Sequence, residues 1–268
     1  MNKKLVIGNW KMNLTVPEST VLIEKLKKEL SKINKVDVVV CPTFLDIYAA
    51  SKELTGTNIS VGAQNCYFEE EGAFTGEISP VQLENFSEYV IVGHSERRHQ
   101  FGETDKMVAR KAAAVVSHNM MPVICVGETY HEKGDGLSKV VVMSQTETAL
   151  SGLTASEVAS SVIAYEPVWA IGSGEVCKSS EAEKMAKNLR ALVQALYGKE
   201  TADKVRILYG GSVSDENAAS FAKSTTIDGV LVGGASLDHA KFTGIVKEFD
   251  KNSKAPKKVS KSKTSKKK

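Results

Sequence analysis

Short runs of apolar, often β-branched residues recur along the chain at 5–10, 36–41, 59–64, 89–94, 121–126, 161–166, 205–209 and 228–232. Several are unbroken rather than alternating, the pattern of strands covered on both faces in a parallel sheet. Between them, apolar positions fall at helical spacing. In 16–31, Val16, Leu22, Ile23, Leu26 and Leu30 share one face while Lys and Glu take the other. Segments 105–118, 138–151, 179–197, 214–222 and 238–248 follow the same rule, and 44–54 and 80–86 predict shorter helices. Ser179-Ser180-Glu181 and Ser214-Asp215-Glu216 set a capping residue ahead of early acids, so helices are expected to start there. Eight strands, each followed by helical sequence over about 250 residues, predict an α/β fold: a closed (β/α)8 barrel, a single domain over residues 1–250. An open doubly wound sheet has the same run of elements, because periodicity does not report closure.

Composition changes this picture at one end. The 268 residues hold 35 Lys+Arg and 32 Asp+Glu, a formal net of +3. Residues 251–268 contain nine Lys and no acid, which leaves 26 basic and 32 acidic side chains, a net of −6, in residues 1–250. The body is mildly acidic and the Lys-rich C-terminal tail is a separate basic segment, expected to be disordered because it offers almost nothing to bury. Its lysines could contact anionic surfaces, or the tail could be a solvated extension. It has no aromatic residues to stack on bases. No run approaches the ~18 apolar residues of a membrane span, and the N-terminus is too briefly apolar for a secretory signal. Cys41, Cys66, Cys125 and Cys177 lie far apart with no C-x-x-C, which argues against a disulfide framework or a zinc site. A cytoplasmic protein is expected.

The catalytic rim of such barrels lies at the C-terminal ends of the strands. There the sequence places Gly8-Asn9-Trp10-Lys11, Gly93-His94-Ser95-Glu96-Arg97-Arg98, Ala164-Tyr165-Glu166-Pro167, Tyr209-Gly210-Gly211-Ser212 and Val232-Gly233-Gly234-Ala235. Singly, each has a plain structural reading: a surface lysine, a packed histidine, glycine turns. Together they put a cation, an imidazole, a carboxylate and two glycine turns on one rim. A carboxylate base beside a neutral imidazole suits proton transfer next to a carbonyl. An ammonium favours the charge that develops on oxygen, and turns without Cβ let backbone N–H groups approach a phosphate.

These strings resemble the triosephosphate isomerase family over nearly all of residues 5–248. The likeness rests on Gly8-Asn9-Trp10-Lys11-Met12-Asn13, Gln64-Asn65, Gly72-Ala73-Phe74-Thr75-Gly76-Glu77, Val92-Gly93-His94-Ser95-Glu96-Arg97-Arg98, Ala164-Tyr165-Glu166-Pro167-Val168-Trp169-Ala170-Ile171-Gly172, Tyr209-Gly210-Gly211-Ser212-Val213 and Gly233-Gly234-Ala235. The family is itself the known case of a glutamate base beside a neutral histidine. The resemblance implies that Glu166 moves a proton between adjacent carbons of dihydroxyacetone phosphate and glyceraldehyde 3-phosphate. It implies that His94, neutral, polarises the carbonyl and that Lys11 supplies fixed positive charge. Asn9 would donate a hydrogen bond to substrate, and Glu96 would sit behind the site, paired with Lys11 or Arg97. Gly172, Ser212, Gly233 and Gly234 would bind phosphate. It implies no metal and no organic cofactor. Independently of the likeness, Ser95-Glu96-Arg97 reads as the first turn of a helix, whose N–H groups disfavour an imidazolium at His94.

The resemblance makes 167–177 a lid with Gly172 and Gly174 about Ser173, and departs from the family pattern at Glu175-Val176-Cys177, where altered lid kinetics are expected. It makes the loop around Thr75 a homodimer contact that reaches the partner's site, with Phe74 buried against the partner rather than folded back on its own subunit. Glu69-Glu70-Glu71 is expected to be a solvated stretch. Cys41 and Cys125 are expected to be packed, while Cys66 and Cys177 are the candidates for thiol-reagent sensitivity. A barrel kept only as a scaffold for the basic tail is the competing reading, which a coupled isomerase assay separates.

Overall fold

The structure is a computed structural model that describes residues 3–171, 175 and 177–253. Eight strands run β1 (Lys4–Asn9), β2 (Val36–Cys41), β3 (Ile59–Ala63), β4 (Tyr89–Val92), β5 (Met121–Val126), β6 (Val162–Tyr165), β7 (Arg206–Tyr209) and β8 (Gly229–Val232). All neighbours pair in parallel, and β8 returns to β1 with Leu5 opposite Gly229 and Gly8 opposite Val232. The sheet is therefore a closed barrel, and the open-sheet alternative is excluded. The seam depends on Gly229: a Cβ there would stand 1.8 Å from the Leu5 carbonyl oxygen.

The unbroken apolar runs are explained by two cores. Leu5, Ile7, Val39, Ile91, Val123 and Leu208 fill the barrel interior. Their alternates, such as Val6, Val38, Val90 and Ile163, face the helices, where they meet Leu22, Leu26, Val108 and Leu189. Both faces of each strand are dry, so neither tolerates polar alternation.

Helices Val16–Leu30, Phe44–Glu53, Asp105–Ser117, Ser138–Leu150 and Ser179–Tyr197 stand where the periodicity puts them. The expected helix at 80–86 is the single turn Pro80–Leu83. Of the two expected starts, the first stands at Ser179 without the expected cap and the second differs. The long helix after β6 is entered from Lys178, with no side-chain cap from the serines. The one expected at Ser214 begins at Ala218 instead, because Asn217 Oδ1 accepts the Ser214 N–H at 2.9 Å and holds 214–217 as a turn. Short helices Tyr130–Gly134, Ala155–Ser160 and Lys199–Lys204 add to those read from periodicity. The last helix, His239–Asn252, runs past 248 and past the expected tail boundary, anchored by buried Phe242, Ile245, Val246 and Phe249. The rest of the tail lies outside the described residues. Among the described residues no helix is long and apolar enough to cross a membrane.

Candidate active site

β1 ends at Asn9, a buried side chain whose Oδ1 accepts the Lys11 N–H at 3.0 Å. Gln64 grips the same turn from β3's end, donating through Nε2 to the Lys11 carbonyl at 2.7 Å. These bonds hold Lys11 at φ +53, a conformation uncommon for a residue with a Cβ. Its ammonium is thereby directed at the Glu96 carboxylate, with which it forms an ion pair. A Cβ on Gly233 would stand 3.5 Å from Lys11 Cε, so the lysine stem runs along the β8 turn.

From β4 the chain passes Gly93, at φ +70, and reaches His94, the N-cap of helix Ser95–Gln100. The Glu96 N–H points at His94 Nδ1 across 3.3 Å. A ring nitrogen that accepts a hydrogen bond carries no proton, so the geometry assigns the neutral ring with its proton on Nε2. Glu96's own carboxylate lies 3.7 Å from Nδ1 and is paired with Lys11.

Glu166 follows β6 and is 1% exposed; His94 is 6% exposed. Glu166 Oε2 accepts the Ser95 N–H at 2.8 Å. Its Oε1 lies 3.0 Å from His94 Nε2, without hydrogen-bond alignment, and has no hydrogen-bond partner among the described residues. A buried carboxylate oxygen left unsatisfied is costly, and Glu166 is one of the residues that line the cavity. Glycines just past the ends of both neighbouring strands leave room for the backbone and side chain of this residue. A Cβ on Gly127 would meet the Glu166 carbonyl oxygen at 1.7 Å, and one on Gly210 would meet Glu166 Cγ at 2.9 Å.

These groups line one cavity of about 620 Å³ at the C-terminal mouth of the barrel. Asn9, Lys11, His94, Glu96 and Glu166 line it together with Ser212, Gly233 and Gly234. Gly234 has open space where a Cβ would be, which leaves the β8 turn accessible to an anion. Gly172 and the expected lid tip lie outside the described residues. Thr75 is exposed on its loop and is not among the groups of this cavity. Ser95, Gln64 and His99 also belong here, the first two through the bonds above and His99 in the wall. Ser95 stood in a quoted motif, but nothing in its side chain signals that its backbone N–H is the functional group.

One expectation fails. Cys66 and Cys177 are each 1% exposed, and burial pushes both thiols up to about 12, so neither is a candidate for thiol reagents in the folded chain. Phe74 folds partly onto its own chain, with its ring 4.7 Å from that of Tyr67, and remains 40% exposed. Of the acidic stretch, Glu70 and Glu71 are exposed, but Glu69 pairs with Arg110 at 2.6 Å. Cys41 and Cys125 are packed as expected.

Comparison with known proteins gives one family. The family model described as triosephosphate isomerase matches residues 4–249. Among similar proteins named triosephosphate isomerase, that of a Thermoanaerobacter species is 46% identical over 247 residues, which cover 92% of this chain and 99% of the relative. The Clostridium perfringens protein is 48% identical over the same shares, and that of Carboxydothermus hydrogenoformans is 46% identical over 248 residues.

Proposed function

The chain belongs to the triosephosphate isomerase family, whose reaction interconverts dihydroxyacetone phosphate and glyceraldehyde 3-phosphate, and on that premise we propose how its own residues divide the work. Glu166 takes a proton from the carbon beside the substrate carbonyl. His94, through Nε2–H, donates to the carbonyl oxygen as negative charge builds on it, and the electron pair of the broken C–H bond becomes the enediolate. Glu166 then returns the proton to the neighbouring carbon, while His94 relays a proton between the two oxygens. A neutral imidazole is a weak acid, but it matches an enediol better than an imidazolium would.

The observation that carries this reading is the buried, unpaired Glu166 Oε1, 3.0 Å from a histidine whose other nitrogen is already filled. In this arrangement the carboxylate is held by the Ser95 N–H, so it must give up that bond to reach a carbon atom. Lys11 stabilises the enediolate and the phosphate; Glu96 keeps its ammonium directed inward. Asn9 donates to substrate oxygen through its side-chain amide. Gly233, Gly234 and Ser212 bind phosphate, as does Gly172, chiefly through backbone N–H. A coupled assay of Glu166→Asp against the unaltered protein tests the base: turnover should drop by about 10²-fold or more with one methylene removed, and an unchanged rate would refute it.

The same proposal includes a homodimer. Met12 (94% exposed), Leu45 (82%), Tyr48 and Phe74 are large apolar groups left on the surface that a second copy could cover. Thr75, beside Phe74, is read as the residue that reaches the partner's site. Sedimentation at micromolar concentration should give twice the chain mass. Four free cysteines suit a reducing, cytoplasmic setting. The basic end is read as a separate segment that contacts anionic surfaces. Truncation after Ser253 should then abolish a salt-dependent binding to polyanions and leave isomerase activity unchanged.

A further inference from the structure

The stretch that carries Glu166 is fastened on its far side by groups that the proton-transfer scheme does not use. The Glu166 and Val168 N–H groups donate to the carbonyls of Val126 and Glu128 at 2.8 and 3.1 Å. The turn Val168–Ala170 then closes on itself, with Ala170 N–H on the Pro167 carbonyl and Ile171 N–H on that of Val168. Trp169 is the buried side chain of this turn. Its Nε1 donates to Glu128 Oε1 at 2.9 Å, and the Tyr165 hydroxyl donates to the same oxygen at 3.1 Å. On the face of the indole stands the Lys133 ammonium, 2.9 Å from the ring centroid.

Lys133 is an exposed residue, and an exposed ammonium ordinarily stays in water. Here it comes from helix Tyr130–Gly134, whose start is fixed by a capping box between Thr129 and Glu132. The indole is thus bracketed by opposite charges in the sense its quadrupole prefers. The electron-rich face meets a cation, and the electron-poor N–H edge meets a carboxylate. The two contacts select one orientation of the ring, three residues from Glu166 and within the same hydrogen-bonded turn.

We propose that Lys133 is a positioning residue for the isomerisation, its ammonium locking the Trp169 indole against Glu128 so that the Val168–Ala170 turn holds Glu166 in register with His94. The proposal rests on the roles given above to Glu166 and His94. Lys133 is not among the residues that line the cavity, which its backbone meets only where its N–H donates to the Thr129 carbonyl at 3.0 Å, and its ammonium acts through Trp169.

The test is the pair Lys133→Met and Lys133→Arg in the full chain. Methionine keeps an unbranched apolar stem and removes the charge. Arginine keeps the charge and stacks on indoles. Each is assayed for kcat and KM with glyceraldehyde 3-phosphate, and for tryptophan emission and acrylamide quenching. K133M should lower kcat about three- to tenfold, the size of a partly desolvated cation–π contact, with KM unchanged. Quenching of the indole should rise in K133M, and K133R should restore both kcat and emission. The proposal is overturned if K133M keeps the unaltered kcat, if arginine does not rescue, or if kcat falls with no change in the indole signal. The unaltered protein separates the readings: no turnover there defeats the Glu166–His94 scheme as well, whereas normal turnover in both proteins defeats only the role of Lys133.

Discussion

Replacing Gly210 by alanine adds one methyl group at the end of β7, and the structure says where it goes. The new Cβ would stand 2.9 Å from Glu166 Cγ and 3.4 Å from the Tyr165 carbonyl oxygen. Carbon atoms at optimal contact are about 3.5–4.0 Å apart, so the glutamate or the strand end must yield by roughly 0.6–1 Å. The backbone carbonyl is held, because the Gly210 N–H donates to that same Tyr165 oxygen at 2.7 Å, and the flexible Glu166 side chain is what moves. Overpacking of this kind costs about 1–3 kcal/mol, and a misplacement near 1 Å at a reacting group can cost about 10²-fold in rate. We expect G210A to fold and to lose roughly ten- to a hundredfold in kcat, with a smaller change in KM, because the Gly233-Gly234 turn is untouched. Gly234→Ala is the matched control, since open space awaits its Cβ; its fold should be unaffected, and any loss should fall on KM. The coupled assay and a melting curve read both. G210A with unchanged kcat would refute the claim that the absence of a side chain at Gly210 leaves Glu166 its working position.

The thiols give a second prediction. Cys66 and Cys177 are pushed from the ordinary thiol value of 9.0 up to about 12 by burial, so native protein at pH 8 should react with a thiol reagent only as fast as it unfolds, and all four cysteines should react in denaturant. The sign of the linkage follows: a raised thiol pKa gives stability that is fully present below pH 9 and is lost as pH climbs towards 12, because the unfolded thiols ionise first. Denaturant midpoints across that window check it, and a rising midpoint would contradict it. Lys111 and Glu103 form a buried ion pair, with Lys111 Nζ also donating to Asn65 Oδ1 at 2.8 Å. Lys111→Met should destabilise, but by less than the about 3–5 kcal/mol of a buried charge stripped of every partner, because Arg97 Nε remains 3.5 Å from Glu103 Oε2; adding Glu103→Leu should cost less than the sum of the two single losses. Additive losses in the double variant would show that the two do not act as a pair.

What could be read in the sequence follows from how local each signal is. β5 runs from Met121 to Val126 as read, because a strand dry on both faces advertises itself by composition alone. Helices Tyr130–Gly134 and Ala155–Ser160 escaped, being too short for a 3.6-residue period, although Thr129…Glu132 and Thr154…Glu157 carry the capping signature that would have found them. Closure was expected from the count of strands and helices and from the family resemblance, but periodicity alone did not report it, because Leu5 and Gly229 become partners only through the sum of eight strand tilts. At the site, Lys11, His94 and Glu166 were legible as residue types at strand ends. That His94 Nδ1 is filled by a backbone N–H, and that Glu166 Oε1 is left open, is backbone geometry with no side-chain signature. Cys66 and Cys177 were misjudged because a loop position suggests exposure, whereas burial depends on what other segments lay over it.

The central claim is that Glu166 carries a proton to and from carbon. It is tested most directly by incubating dihydroxyacetone phosphate in D₂O with the unaltered protein and with Glu166→Gln, and following deuterium at the substrate carbon by NMR. The unaltered protein should wash deuterium into that position, and E166Q, equal in shape but unable to accept the proton, should exchange slower by about 10²–10⁴-fold. Exchange by E166Q at the unaltered rate would contradict the assignment of the base.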